Sequence, residues 1–228
     1  MNKSFGVVIV AAGKGSRMGT RESKQFLQIE GRPIVVHTMD IFNQVPWLQE
    51  IVLVTGRDDV ARCEAWVKEY GLDKVSAIIP GGSERQESVY LGIKQMNTEW
   101  VMIHDGVRPF VTRDEIDTCR EVALREGAAV LGVPVKDTIK QVNEQGLITA
   151  TPDRHSLWAV QTPQAFRLSD LLAAHESAER EGYFGTDDAM LMERAGLPVA
   201  VAEGKYTNIK ITTPEDLEYA AFLQYKKR

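Results

Sequence analysis

The sequence predicts an α/β protein: a mostly parallel sheet flanked by helices, with a protruding antiparallel β-hairpin arm. Three observations carry this. Short apolar runs alternate with helix-period segments along most of the chain. The first run, "GVVIVA" (6–11), is apolar without alternation, as in a strand buried on both faces. After Pro134 the rhythm changes to polar–apolar alternation around a turn near Glu144–Gly146.

The elements follow in order. After the 6–11 strand, Pro33 suits the first position of a helix over 33–44, with Ile34, Met39, Ile41 and Phe42 near one face. "EIVLVT" (50–55) is the second strand and 58–69 a helix. "VSAIIP" (75–80) is the third strand, followed by a helix over about 84–97. "WVMIH" (100–104) is the fourth, and Thr112 with Glu115 forms a capping-box pattern opening a helix to about 125. "AAVLGVPV" (128–135) is the fifth. Such β–α alternation implies right-handed crossovers in a Rossmann-like sheet. Residues 137–157 form the arm, which has too little apolar surface to stand alone. It is expected to pack on another subunit; the alternative is a ribbon folded back over its own domain. Helices are expected at 168–182 and 187–195, and short strands near 199–203 and 207–211. Thr213, Pro214, Glu215 and Asp216 open a terminal helix.

The 228 residues suit a single domain spanning 1–228. Hydrophobic residues are 43% and charged residues 26%, with a net charge of −5, which gives no bulk attraction to nucleic acid or anionic membrane. No window approaches a membrane span, and the amino-terminal run lacks a signal-peptide pattern. Cys63 and Cys119 lack metal-ligand spacing and are expected to be buried thiols of a reducing compartment. The expectation is a cytoplasmic protein.

In such sheets the loops at the carboxyl ends of parallel strands hold ligand. The first is "AAGKGSRMG" (11–19). Gly13, Gly15 and Gly19 let backbone N–H groups approach an anion, Arg17 adds a fork of donors, and Lys24 adds a compact charge. No Gly-Lys-Ser/Thr triplet makes this a P-loop, and Met18 stands where a dinucleotide fingerprint needs its third glycine. A tight glycine turn with solvated cations fits the spacing as well. After the third strand, Gly81 and Gly82 form a turn and Ser83 is placed to cap the helix bearing Arg85 and Ser88. After the fourth, Asp105 needs a cation or hydroxyl partner, or a structural pairing with Arg108. His104 fits strand-end packing better than catalysis, and His37, His155 and His175 receive no role.

"AAGKGSRMGTRESKQF" resembles the signature loop of nucleotidyltransferases that join a nucleoside triphosphate to a phosphorylated sugar or polyol, with Ser23 where proline is common. "GGSERQESV", "HDGVRPF", "VKDTIK", "DRHSLW", "QTPQAF", "GTDDAML" and "NIKITTPEDL" extend the likeness from residue 7 to about 217. Together they resemble the 2-C-methyl-D-erythritol 4-phosphate cytidylyltransferase family of non-mevalonate isoprenoid synthesis. Gly106 and Val107 replace two alanines common there. A related family, ribitol-5-phosphate cytidylyltransferase, tends toward "HDAVRPF".

The resemblance implies transfer of a cytidylyl group from CTP to a phosphorylated polyol with release of pyrophosphate. It assigns Arg17 and Lys24 to the transition state, and Arg154 and Lys210 to the attacking phosphate. Ala11, Ala12, Gly13, Gly15, Gly82, Ser88, Asp105, Gly106 and Lys210 would bind the nucleotide. Asp105, Arg108, Thr138, Arg154, Thr162 and Thr186 would bind the acceptor. Mg²⁺ would bridge the triphosphate, with Asp105 near it or the ribose. Thr138 and Arg154, on the arm, would act in the partner's site of a homodimer. An NAD-type oxidoreductase and a non-catalytic nucleotide-binding protein are the alternatives from other classes.

Overall fold

The computed structural model describes residues 3–13 and 22–226. In chain order the elements are β1 (Phe5–Ala11), β2 (Gln28–Ile29), β3 (Arg32–Pro33), α1 (Ile34–Asn43), β4 (Leu48–Thr55) and α2 (Val60–Glu69). Then come β5 (Val75–Pro80), α3 (Arg85–Ile93), β6 (Trp100–Asp105), α4 (Arg113–Glu126), β7 (Ala128–Pro134), β8 (Gln141–Val142) and β9 (Ile148–Ala150). Last are β10 (Trp158–Arg167), α5 (Leu168–Glu181), α6 (Asp188–Arg194), β11 (Ala200–Glu203) and α7 (Pro214–Lys226).

The central sheet runs β11-β7-β10-β6-β1-β4-β5. β1, β4, β5 and β6 pair in parallel, as do β7 and β11; β10 is antiparallel to both its neighbours. Successive residues of β1 feed opposite layers, which explains its unbroken apolar run. Phe5, Val7 and Ile9 pack with Met39, Phe42 and Cys119 on one face. Val8 packs with Val89, Ile93 and Leu171 on the other. From β1 the chain winds outward through β4 to β5, then returns across β1 to β6. The β1–β6 boundary is therefore a topological switch point, where the two crossovers diverge and leave a crevice.

The arm forms as expected. Gln141 pairs with Ala150 and Val142 with Ile148. Asn143 Oδ1 accepts from the Gln145 and Leu147 N–H groups, and Gly146 takes φ 78°, where a side chain would be strained. Every residue from 141 to 150 is exposed, so the ribbon does not fold back over its own domain. Val142, Leu147 and Ile148 are 58–65% exposed, an uncovered apolar strip.

Four local expectations are corrected. Pro33 closes β3 and caps α1 in an extended conformation instead of opening the helix. The helix expected to 97 ends at Ile93. No strand forms at 207–211: Ile211 N–H donates to the Val107 carbonyl, but no ladder follows. β10 was not anticipated, because Gln161, Thr162 and Gln164 interrupt its apolar pattern. All three are buried and serve hydrogen bonds in the sheet interior, beside a register shift between Val160 and Gln164. Pro163, which has no N–H to give, lies within that irregular stretch.

The capping box at α4 is complete. Glu115 Oε2 accepts from Thr112 N and Oγ, at 2.8 and 2.7 Å, and Thr112 Oγ accepts from Glu115 N. Glu115 Oε1 also accepts from Lys205 N at 2.7 Å, tying α4 to the segment after β11. Thr112→Ala is expected to cost about 1 kcal/mol in urea unfolding. Glu115→Ala, which strands three donors, is expected to cost about 3 kcal/mol.

Candidate active site

An open cleft of about 650 Å³ lies over the carboxyl ends of β1, β5 and β6. Ala11, Ala12 and Gly13 form one wall. Gly82, Arg85 and Ser88 form the facing wall, and Lys24, Asp105 and Lys210 line the rim and floor. Two loops meet closely here. A Cβ on Gly81 would sit 2.4 Å from Ala12 Cβ, so only glycine lets the β5 loop close on β1. Ser88 Oγ donates to the Glu84 carbonyl and accepts from Gly82 N at 3.1 Å, fixing the turn. Ser83 is not the expected cap; its N–H and hydroxyl both donate to Glu87, and Glu84 occupies the cap position.

Lys24 opens a short 3-10 turn, Lys24–Phe26. Gln25, 2% exposed, donates from Nε2 to the Ala11 carbonyl at 2.7 Å and pins this turn to the end of β1. Phe26 anchors the other side against Trp66 and the Arg62 guanidinium. Lys24 is thereby held at the cleft although the chain between 14 and 21 lies outside the described residues.

Asp105 gathers the cations. Lys210 Nζ is 2.9 Å from Oδ2, Arg108 Nε 3.5 Å from Oδ2, and Arg85 Nε 3.4 Å from Oδ1. Burial alone would raise this carboxyl. Arg85, Lys210 and Arg108 outweigh burial and hold it well below the usual carboxylate range. Arg85 in turn reaches Asp188 at 2.8 Å, and Asp188 meets His175 Nε2 at 3.2 Å. Burial disfavours the Arg85 charge, but Asp188 and Asp105 together raise its pKa and secure it.

Beneath the cluster, Asp105 N donates to Thr162 Oγ at 3.0 Å, and Thr162 Oγ lies 3.1 Å from His104 Nδ1. His104 Nε2 lies 3.1 Å from the Arg108 carbonyl. Asn208, fully buried, donates from Nδ2 to the Thr162 carbonyl at 2.9 Å, and its own carbonyl accepts from Arg108 Nη1 at 2.7 Å. Ile211 N–H bonds the Val107 carbonyl. These contacts hold the 208–211 segment, and hence Lys210, against the β6 loop.

The fold thus brings Ala11, Ala12, Gly13, Lys24, Gly82, Ser88, Asp105 and Lys210 to one cleft. Gly106 packs at its floor, where a Cβ would meet Ala11 Cβ at 2.9 Å. Arg108 is turned inward to Asp105 and Asn208. Thr162 offers no free hydroxyl to a ligand, being buried and bonded on both sides. Thr138 and Arg154 are exposed on the arm; Arg154 Nη1 donates to the Lys136 carbonyl, and neither residue lines this cleft. Thr186 is exposed, with its hydroxyl 3.7 Å from Met190 Sδ. Gly15, Arg17 and Gly19 lie outside the described residues. Gln25, Arg85 and Asn208 contribute without having been singled out as site residues. Only Arg85 carried a visible signal, a cation in the first turn of the helix after the glycine pair.

The described residues do not build a metal cage. No group of three His, Cys, Asp or Glu side chains converges among them. Asp105 already has both oxygens engaged by cations, whereas a magnesium ion seeks oxygens uncommitted to positive partners.

The family model described as IspD, 2-C-methyl-D-erythritol 4-phosphate cytidylyltransferase, matches residues 5–225. The 2-C-methyl-D-erythritol 4-phosphate cytidylyltransferase of Desulforamulus reducens is 50% identical, covering 95% of this chain and 94% of that one. Its namesake from Halalkalibacterium halodurans is 47% identical, covering 98% and 99%. Among solved structures, 4-diphosphocytidyl-2C-methyl-D-erythritol synthase from Anaerococcus prevotii superposes with a TM-score of 0.86 at 30% identity, covering all of both chains. The 2-C-methyl-D-erythritol 4-phosphate cytidylyltransferase of Thermus thermophilus gives 0.81 at 33% identity, covering 99% and 100%.

The cluster sets a pH dependence of stability. Burial pushes His104 from its ordinary 6.5 down to about 4. As pH falls the unfolded chain therefore takes the proton first. The effect on stability is absent above about pH 6.5 and grows toward pH 4, reaching on the order of 3 kcal/mol. The depressed Asp105 adds little slope above about pH 5, because its stabilisation is lost only as pH falls through the ordinary carboxylate range and below it. Urea unfolding at pH 7 and pH 5 is expected to show a larger acid loss in the native sequence than in His104→Asn. Equal losses would contradict this assignment.

Proposed function

The chain belongs to the 2-C-methyl-D-erythritol 4-phosphate cytidylyltransferase family, and from that premise we propose how its residues carry out the transfer. The protein is a nucleotidyltransferase that converts CTP and 2-C-methyl-D-erythritol 4-phosphate to 4-diphosphocytidyl-2-C-methyl-D-erythritol and pyrophosphate. The observation that supports the residue roles best is the cleft at the switch point, which Lys24 lines and where Lys210 and Arg85 converge on Asp105.

An oxygen of the acceptor's phosphate forms a bond to the α-phosphorus of CTP. The bond from that phosphorus to the bridging oxygen breaks, and its electron pair leaves on pyrophosphate. A phosphate monoester is already a nucleophile at neutral pH, so no base is needed. The obstacle is repulsion between two anions, which alignment and fixed positive charge overcome. Lys24 and Arg17 stabilise the charge of the five-coordinate transition state. Lys210, held by Asp105, meets the incoming phosphate. The Gly13 and Gly82 loops receive the nucleotide through backbone groups, and Gly81 gives them their close approach. Mg²⁺ bound to the triphosphate would neutralise part of its charge, with Asp105 a carboxylate of the same cleft.

Arg154 and Thr138 serve the site of a second copy in a homodimer. The uncovered apolar strip on the arm and their absence from the cleft of their own chain support this. The same strip supports reading the arm, residues 137–157, as a dimerisation element of a single catalytic domain. Among the described residues no helix is long and apolar enough to cross a membrane, and the two buried cysteines suit a cytoplasmic setting. "HDGVRPF" leans slightly toward the ribitol-5-phosphate pattern, but the "AAG" start, "VKDTIK" and "DRHSLW" lean toward the methylerythritol enzyme and weigh more.

Pyrophosphate release from CTP and Mg²⁺ is expected with 2-C-methyl-D-erythritol 4-phosphate. Faster release with ribitol 5-phosphate would overturn that acceptor choice. Lys24→Ala and Arg17→Ala are each expected to lower kcat by on the order of 10²–10³; unchanged turnover removes the residue from the mechanism. Arg154→Ala is expected to raise KM for the polyol phosphate more than for CTP. Mixing Arg154→Ala with Lys24→Ala protein is expected to recover activity, and no recovery would place both residues in one chain's site.

A further inference from the structure

His104 is fully buried at the end of β6 and does not line the cleft. Its two ring nitrogens nevertheless connect to the site. Nε2 faces the Arg108 carbonyl, which can only accept, so Nε2 carries the proton. In the neutral ring Nδ1 is then an acceptor. The hydroxyl of Thr162 has one proton, and it points to Nδ1. That leaves the hydroxyl lone pairs for the Asp105 N–H. Placing one proton on Nε2 therefore fixes the direction of every bond from the Arg108 carbonyl to the Asp105 main chain.

The ring is held in place as well as polarised. Phe42 meets it edge-on, with centroids 4.8 Å apart. Thr162 is the junction: its hydroxyl accepts from Asp105, while its carbonyl accepts from Asn208, two residues before Lys210. Both halves of the Asp105–Lys210 pair are thus referenced to one residue whose hydroxyl His104 orients.

We propose that His104 is a positioning residue of the transfer reaction, its Nε2–H tautomer orienting the Thr162 hydroxyl that fixes Asp105. The proposal rests on the cytidylyl-transfer reading for its kinetic consequence, but the tautomer is a property of the protein alone. Burial, which keeps the ring neutral at neutral pH, sustains that tautomer.

Nitrogen NMR of the ring-labelled, ligand-free protein tests the tautomer directly, with His104→Asn assigning the signal. A neutral Nε2–H ring at pH 7 is expected; a charged or Nδ1–H ring overturns the proposal whatever the activity. Kinetics test the consequence. Asparagine keeps an acceptor near the Nδ1 position, and leucine keeps none. His104→Leu and Thr162→Val are each expected to lower kcat/KM about tenfold, the worth of one hydrogen bond. His104→Asn is expected to recover most of the leucine loss. The double variant His104→Leu/Thr162→Val should be little worse than either single, because both cut the same chain. Additive losses, or equal losses in His104→Asn and His104→Leu, overturn the proposal. A native protein that releases no pyrophosphate would undo the functional reading and leave the NMR result standing.

Discussion

A carboxylate buried among three cations is the constraint on which the site depends. Removing Asp105 from water is costly, and the cost is offset only because Lys210, Arg85 and Arg108 converge on it. The cations are equally dependent on the carboxylate. Three like charges held this close would repel one another without it. The cluster is therefore mutually enforced, and it leaves a net positive environment at the spot where two phosphates must meet. Lys210, with 38% of its side chain exposed, and Arg85, with 29%, both line the cleft and are the members a ligand can reach.

The fold delivers these groups by topology. β1 and β6 lie side by side because the chain winds outward to β5 and then returns across β1. Asp105 ends β6 and shares the cleft with Ala12 and Gly13, which follow β1. The antiparallel β10 brings Thr162 in beneath Asp105, and the segment after β11 crosses over to add Asn208 and Lys210. One strand against the direction of the sheet thus supplies the support beneath Asp105.

Elements with a single dominant signal were legible in the sequence. β1, the Ile51–Val54 stretch of β4 and the Trp100–Ile103 stretch of β6 are apolar because both faces are covered, and α4 announced itself by Thr112 and Glu115. β10 was not, because its polar residues are buried for hydrogen bonding and disguise the strand. The site divides the same way. Lys24, Asp105 and Lys210 were recognisable as charged residues after strands, within motifs resembling a known family. Gln25 and Asn208 were not, since a neutral amide gives no hint that it will be buried to aim a neighbour. Thr162 was expected to touch the acceptor, whereas its hydroxyl is spent within the protein. Arg108 was expected at the acceptor too, and its side chain instead spans Asp105 and Asn208.

The central claim is that one carboxylate organises the cations that make phosphate transfer possible. Steady-state turnover of Asp105→Asn at saturating CTP, Mg²⁺ and acceptor is the decisive measurement, because the amide keeps the shape, removes the charge and turns one acceptor oxygen into a donor. A fall in kcat of about 10²-fold or more is expected, on the scale of losing a preorganised electrostatic partner. Turnover within threefold of the native protein would contradict it.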